Sequence, residues 1–343
     1  MSVPSHFLQF LKAIRYYLLA VGVTLGVLCA GTLWHVWSYL NTTQSKHPAG
    51  IDIAPGSSFN VVLDQLHFEE AVKRPIYLKA YARFKGVTGD IKAGEYSLDA
   101  GLTPVQILDQ LIAGRVVQHN LTLVEGLTFR EWRAILANAS PVLVNASAAL
   151  GDDELMAAIG ANGEHPEGLF MPDTYAYSRG SSDIDLLRRA YDAMQAYLNA
   201  AWAAREEGLP LNNSYDALIL ASIVEKETGV AEERPLIAGV FVSRLHKGMK
   251  LQTDPTIIYG LGEEFDGDIK WKHLRQDTPY NTYTRHGLTP TPIAMPGRAA
   301  IDAVLHPAET EALYFVSKND GSHQFSRTLA EHEAAVDKYQ RNK

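Results

Sequence analysis

From Tyr16 to Ser45 the chain carries no Asp, Glu, Lys or Arg, and Leu18–Leu33 within it is almost wholly apolar. With its aromatic flanks, a helix of this length can cross a hydrocarbon layer ~30 Å thick. Tyr16 and Tyr17 stand at one end and Trp34, Trp37 and Tyr39 at the other, where interfacial aromatic belts belong. Lys12 and Arg15 precede the stretch and Lys46 is the first positive charge after it, a bias that puts the N-terminus in the cytoplasm. A cleaved leader has a shorter apolar core and a small-residue exit site, and neither fits. Cys29 follows bulky Leu28 and the apolar run continues past it, which argues against lipoprotein processing. The expectation is a single-pass anchor over residues 16–40, with 1–15 cytoplasmic and the body outside.

The 343 residues suggest about two domains at one per ~150 residues. One cysteine excludes an internal disulfide framework and any zinc site built from several cysteines. The net charge is −8, and no Lys/Arg run offers the basic face that nucleic acid requires. With Lys12 and Arg15 left inside, the external body carries −10. A body that acidic must hold an acidic polymer by local contacts.

After a short tether, residues 41–50, the same helix-start pattern recurs. Ser58 precedes the apolar stripe Phe59, Val62, Leu63 and Leu66; Thr103-Pro104 precedes Val105, Ile107, Leu108, Leu111 and Ile112. A hydroxyl cap, proline in the first turn and Gly114 at the end define the second of these helices. Gly94–Leu98 alternates like a strand. A third unit, Gly126-Leu127-Thr128, leads into Trp132, Ile135 and Leu136. Helical patterns follow over Ala146–Ile159 and Asp183–Ala204, and between them Glu167–Tyr175 reads as an aromatic loop.

Residues Asp216–Thr228 form an almost uninterrupted apolar helix ending Glu225-Lys226-Glu227-Thr228. At 3.6 residues per turn Glu225 stacks over Leu218, Ala221 and Ser222, the face expected to be buried, while Glu227 points elsewhere. A carboxyl on an apolar face has its charged form disfavoured, as a general acid near neutral pH requires. The competing reading is a structural glutamate neutralised by Arg234 or Arg244. Glu227 is the alternative acid. A helix over Val240–Leu245 ends at Gly248, and Leu251–Gly260 is a polar turn running into an apolar stretch, with a short strand expected near Ile257. The loops Pro279–Tyr283, Gly287–Ile293 and Pro296-Gly297 are rich in amides, hydroxyls and tyrosines and poor in charge, which suits carbohydrate better than phosphate or metal, and simple structural turns are the competing reading. Strands are also expected at Tyr314–Val316 and Gln324–Phe325. Glu331-His332-Glu333 has Val336 where a zinc motif needs its second histidine, and no phosphate loop, dinucleotide fingerprint or serine elbow is present. No cofactor is expected.

From Ala221 to Val336 the chain resembles the YceG-like endolytic murein transglycosylases. Ala221–Thr228, Leu251–Tyr259, Tyr280–Tyr283, Tyr314–Val316, Gly321–Ser326 and Glu331-His332 carry the likeness, together with Glu167-Gly168, Phe170 and Pro172–Tyr175 upstream. Thr289 stands where that family more often has proline, and His273 where it has an acidic residue. The resemblance implies an α+β fold with one transmembrane helix. A small β-α-α-β LysM-like module would occupy residues 51–118 and a mixed α/β catalytic domain residues 119–343. It implies Glu225 as the catalytic residue, with Gln252, Thr253, Asp254, Tyr280, Asn281 and Tyr283 contacting glycan. The implied reaction is non-hydrolytic cleavage within peptidoglycan strands that leaves 1,6-anhydro ends and limits nascent strand length. The implied setting is the inner membrane, with the catalytic domain periplasmic and near peptidoglycan synthases. Two further readings stay open: an anchored non-catalytic glycan-binding scaffold, and an amidase or peptidase, for which no nucleophile–base set or metal cluster is found at convincing spacing.

Overall fold

A computed structural model describes residues 5–44, 47–139 and 142–341, so Lys46 lies outside the described residues. The chain divides into two compact units that meet between Gln118 and His119.

The first unit begins with helix α1, Ser5–Leu40. Its stretch Lys12–Leu40 is long and apolar enough to cross a membrane, and the most apolar 18 residues of it have no buried residue. Trp34 and Trp37 are exposed, as are Tyr16 and Tyr17. Tyr39 differs from the belt expectation: its hydroxyl accepts the Arg74 backbone N–H at 2.6 Å and its ring meets Tyr77 edge-on at 5.1 Å. Leu40 is 4% exposed in the unit's core. The helix therefore enters the small unit directly.

Beyond it come β1 (Ala49–Ile53), α2 (Phe59–Phe68), α3 (Pro75–Lys85), β2 (Gly94–Leu98) and α4 (Pro104–Ala113). Strands β1 and β2 pair antiparallel, Ala49 opposite Leu98 and Ile53 opposite Gly94. Ala49, Ile51 and Ile53 alternate inward to meet Leu63, Leu66, Leu78 and Leu108. Ser58 caps α2, and Thr103 caps α4 in a reciprocal box with Gln106. The strand–helix–helix–strand order matches the expected one, with α4 added behind it.

The second unit contains β3 (His119–Leu123), α5 (Phe129–Ala137), α6 (Asp152–Ile159), β4 (Asp173–Tyr177), α7 (Asp183–Ala203), α8 (Ser214–Glu227), α9 (Arg234–His246), α10 (Asp254–Leu261), α11 (Trp271–Arg275), α12 (Arg298–Leu305), β5 (Tyr314–Ser317), β6 (His323–Ser326) and α13 (Leu329–Val336). Strand β3 pairs antiparallel with β4, and β5 with β6. Helix α8 is the centre of this unit. Ala217 to Val224 are all buried, and α7, α9, α10 and α12 pack around it. Thr128 caps α5 with Glu131 reaching back. Two expectations are corrected. Ile257 lies in helix α10, because Asp254-Pro255 starts a helix with proline in its first turn. The Ala146–Ile159 stretch is broken before α6, where Gly151 is the N-cap.

Candidate active site

Helix α8 is almost uninterruptedly apolar from Ala217 to Val224, and the three charged residues that follow point in different directions. Glu225 has its side chain 4% exposed. One oxygen accepts from the Arg234 guanidinium at 3.2 Å and the other from the Gly297 backbone N–H at 2.9 Å. Lys226 donates to the Gly126 carbonyl at 2.9 Å. Glu227 turns into a cleft of about 450 Å³. There the Thr253 hydroxyl donates to its carboxylate. Burial pushes the Glu227 carboxyl up to about 7; the Thr253 hydrogen bond opposes this and neighbouring Asp254 adds to it.

The environment expected for Glu225 is thus not the one found. Periodicity correctly places it on the buried side, but Arg234 and Gly297 compensate its charge, and it does not line the cleft into which Glu227 turns. The carboxyl that faces this cleft is the alternative, Glu227.

Gln252, Thr253, Asp254 and Tyr283 line the Glu227 cleft together with Arg244, Tyr314 and His332. Gln252 adopts φ 51°, rare for a residue with a Cβ, and its N–H is held by the Thr282 carbonyl at 3.2 Å. Tyr283 donates its hydroxyl to Asp254 at 2.6 Å. Arg244, 6% exposed, forms the cleft's rigid wall by donating to the carbonyls of Leu313, Lys250 and Leu251 at 2.7, 3.0 and 2.7 Å. The other two expected contacts lie elsewhere. Asn281 is 1% exposed, and its amide donates to the carbonyls of His273, Leu274 and Gln276, so it builds the loop beneath the cleft. Tyr280 lines a second cleft, bonded through its hydroxyl to Thr291 at 2.9 Å.

That second cleft contains a carboxyl to which the sequence assigned no role. Glu167, 3% exposed, accepts the Phe129 backbone N–H at 3.0 Å, and the Tyr259 hydroxyl also bonds to it. Burial pushes it up to about 7. The available signal was a charged residue just before the apolar run Leu169, Phe170 and Met171, all buried. The loop is locked by Gly168, at φ 80°, where a Cβ would lie 2.4 Å from the Pro292 side chain. His323 is paired with Glu233 at 2.7 Å. No group of three or more His, Cys, Asp or Glu that could hold a metal ion occurs among the described residues.

The model of the YceG-like family matches residues 51–338. An endolytic murein transglycosylase of Bacillus subtilis (strain 168) is 31% identical over 86% of this chain and 86% of its own length. A protein of the same name from Streptococcus pneumoniae serotype 2 is 26% identical over 94% of this chain, which spans 65% of that protein. A crystal structure of a YceG-like protein from Listeria monocytogenes superposes with a TM-score of 0.55 at 28% identity, covering 84% of this chain and 99% of that one. The chain belongs to the YceG-like family.

Proposed function

We propose that this chain is an endo-acting lytic transglycosylase of peptidoglycan with Glu227 as its acid and base. The observation that carries the reading is a carboxyl pushed up to about 7 by burial, in a cleft lined by Gln252, Thr253, Asp254, Tyr283 and Arg244. Such a group still holds its proton near neutral pH and can give it away. Glu227 protonates the oxygen joining N-acetylmuramic acid to N-acetylglucosamine as the C1–O bond breaks. The carboxylate left behind takes the proton of the muramic acid C6 hydroxyl while that oxygen bonds to C1. The products are a new glucosamine end and a 1,6-anhydro ring; no water is consumed. One carboxyl acts twice, so the paired carboxylates of hydrolytic enzymes are not required. The names of the Bacillus and Streptococcus relatives support this reading. Gln252, Asp254 and Tyr283 are the glycan contacts, Thr253 sets the protonation of Glu227, and Glu225 is structural.

The same reading makes α1 a single-pass inner-membrane anchor with a cytoplasmic N-terminus. It makes residues 51–118 a LysM-like module and residues 119–343 a periplasmic catalytic domain. Cutting within new strands limits their length and places the enzyme beside peptidoglycan synthases.

The test uses full chain in detergent, uncrosslinked glycan strands and mass spectrometry of the ends. Wild type should yield 1,6-anhydro ends. Glu227→Gln should lose about 10²–10⁴-fold of that rate. Glu225→Gln, measured below its melting temperature, should still cut. Cutting by Glu227→Gln at the wild-type rate would refute the assignment, and selective loss in folded Glu225→Gln would return the role to Glu225. Intact glycan with wild type would leave the scaffold reading.

A further inference from the structure

A cleft of about 1120 Å³ in the second unit is distinct from the one that holds Glu227. The two nevertheless share a wall. Lys226 lines the larger cleft and Glu227 the smaller; Pro255 lines the larger and Asp254 the smaller; Tyr280 lines the larger and Tyr283 the smaller. Consecutive Cα atoms are ~3.8 Å apart, so at the end of α8 and the start of α10 neighbouring residues serve the two clefts.

We propose that the larger cleft is a distal saccharide-binding site, holding the glycan strand beyond the bond that Glu227 attacks. This rests on reading the Glu227 cleft as the place of cutting. An enzyme that cuts inside a chain must hold sugar rings well away from the scissile bond. The smaller cleft lies at the lower end of the ~300–1,000 Å³ range of pockets that enclose one small ligand. A strand seated in it runs on past its lining, and adjoining residues of α8 and α10 put the larger cleft next to it.

The lining chemistry is that of sugar recognition. Tyr259 and Tyr280, with ring centroids 4.9 Å apart, form a tilted aromatic wall beside Phe129, a surface for the apolar faces of pyranose rings. Glu167 offers a buried carboxyl beside them, and the Lys226 ammonium has N–H donors beyond the one given to Gly126. The rim does not favour an ionised ligand. Arg130 is paired with Glu263 at 3.0 Å and Arg133 with Asp152 at 2.8 Å, while the Glu131 carboxylate caps α5. Matched charges leave no field of one sign to recruit a phosphate or an acidic peptide.

The experiment measures binding of β-1,4-linked N-acetylglucosamine oligomers of two and of six units to full-chain Glu227→Gln in detergent. Tyr280→Ala and Lys226→Met are then added singly on that background. The hexamer should bind at least tenfold tighter than the dimer, and each added substitution should weaken the hexamer several-fold and leave the dimer unchanged. A hexamer that binds no tighter than the dimer overturns the proposal, as does equal weakening of both lengths or of neither. Should Tyr280→Ala melt below its parent, Lys226→Met, an exposed position, decides alone. Failure of the underlying reading is separate: it shows as glycan cutting by Glu227→Gln, whatever the oligomer affinities.

Discussion

The protonation of Glu227 has a thermodynamic consequence that can be measured without any substrate. In the unfolded chain this carboxyl releases its proton near 4.5; in the folded chain burial delays release to about 7. A group that folding makes harder to ionise subtracts stability as pH rises through that interval, because the unfolded state ionises first. The interval corresponds to about 3 kcal/mol, absent below pH 4.5 and fully in force above pH 7. Glu227→Gln removes the ionisation but keeps an oxygen to accept the Thr253 hydroxyl. For a unit of this size about 1 kcal/mol moves the melting temperature by about 2–4 °C. The glutamine variant should therefore melt about 6–12 °C above wild type at pH 8, with the difference closing as pH falls to 4.5. Glu167 is pushed up in both proteins and drops out of the comparison. The assay is thermal denaturation of both full chains in detergent across pH 4.5–8. A difference that stays constant over that range would refute the reasoning, since a packing effect has no reason to follow this titration. A variant that gains stability as it loses cutting is what a site under functional strain produces.

Three further outcomes are expected. Thr253→Val removes the hydrogen bond that favours the charged form of Glu227, so the pH–rate profile for glycan cutting should move to higher pH; an unmoved profile would show that Thr253 does not act on the acid. Asn281→Ala should lower stability by about 1–3 kcal/mol by denying the buried carbonyls of His273, Leu274 and Gln276 their shared donor, read by denaturant unfolding; an unchanged midpoint would contradict the loop role given to it. Gly168→Ala, which drives a Cβ into Pro292 at a positive φ, should cost at least about 1 kcal/mol and loosen the loop that carries Glu167, measured by melting and by hexamer affinity.

The parts of this protein that are locally encoded are readable from sequence. Ser58, Thr103 and Thr128 each start a helix because a hydroxyl before an apolar stripe satisfies orphan N–H groups of the next turn, and each does so here. The long α7 and the buried run of α8 follow from length and periodicity alone. What was not legible depends on distant partners. Strands β3 and β4 pair His119 with Tyr177, and five-residue segments that far apart carry no mutual signal. The apolar run at Ile257 suits strand or helix equally, and the Asp254-Pro255 start decides it. The choice between Glu225 and Glu227 was beyond periodicity for the same reason. Periodicity assigns a face, but the counter-charge of Arg234 and the N–H of Gly297 reach Glu225 through the fold of α9 and of a loop 72 residues away.

Helix α1 continues unbroken from the apolar stretch into the small unit, where Leu40 is buried and Tyr39 is bonded to Arg74. Its 29-residue apolar stretch is about 44 Å long, more than the ~30 Å of hydrocarbon, and the surplus of about two and a half turns includes the part that docks. With α1 spanning a membrane as proposed, the heading of the small unit around the membrane normal is set by the phase of one helix. Adding a single residue within α1 would swing that heading by about 100° and lift the unit by about 1.5 Å, whereas seven would return it to within about 20°. A spacer built as flexible chain tolerates any length; this one is geared, and its period is that of the α-helix.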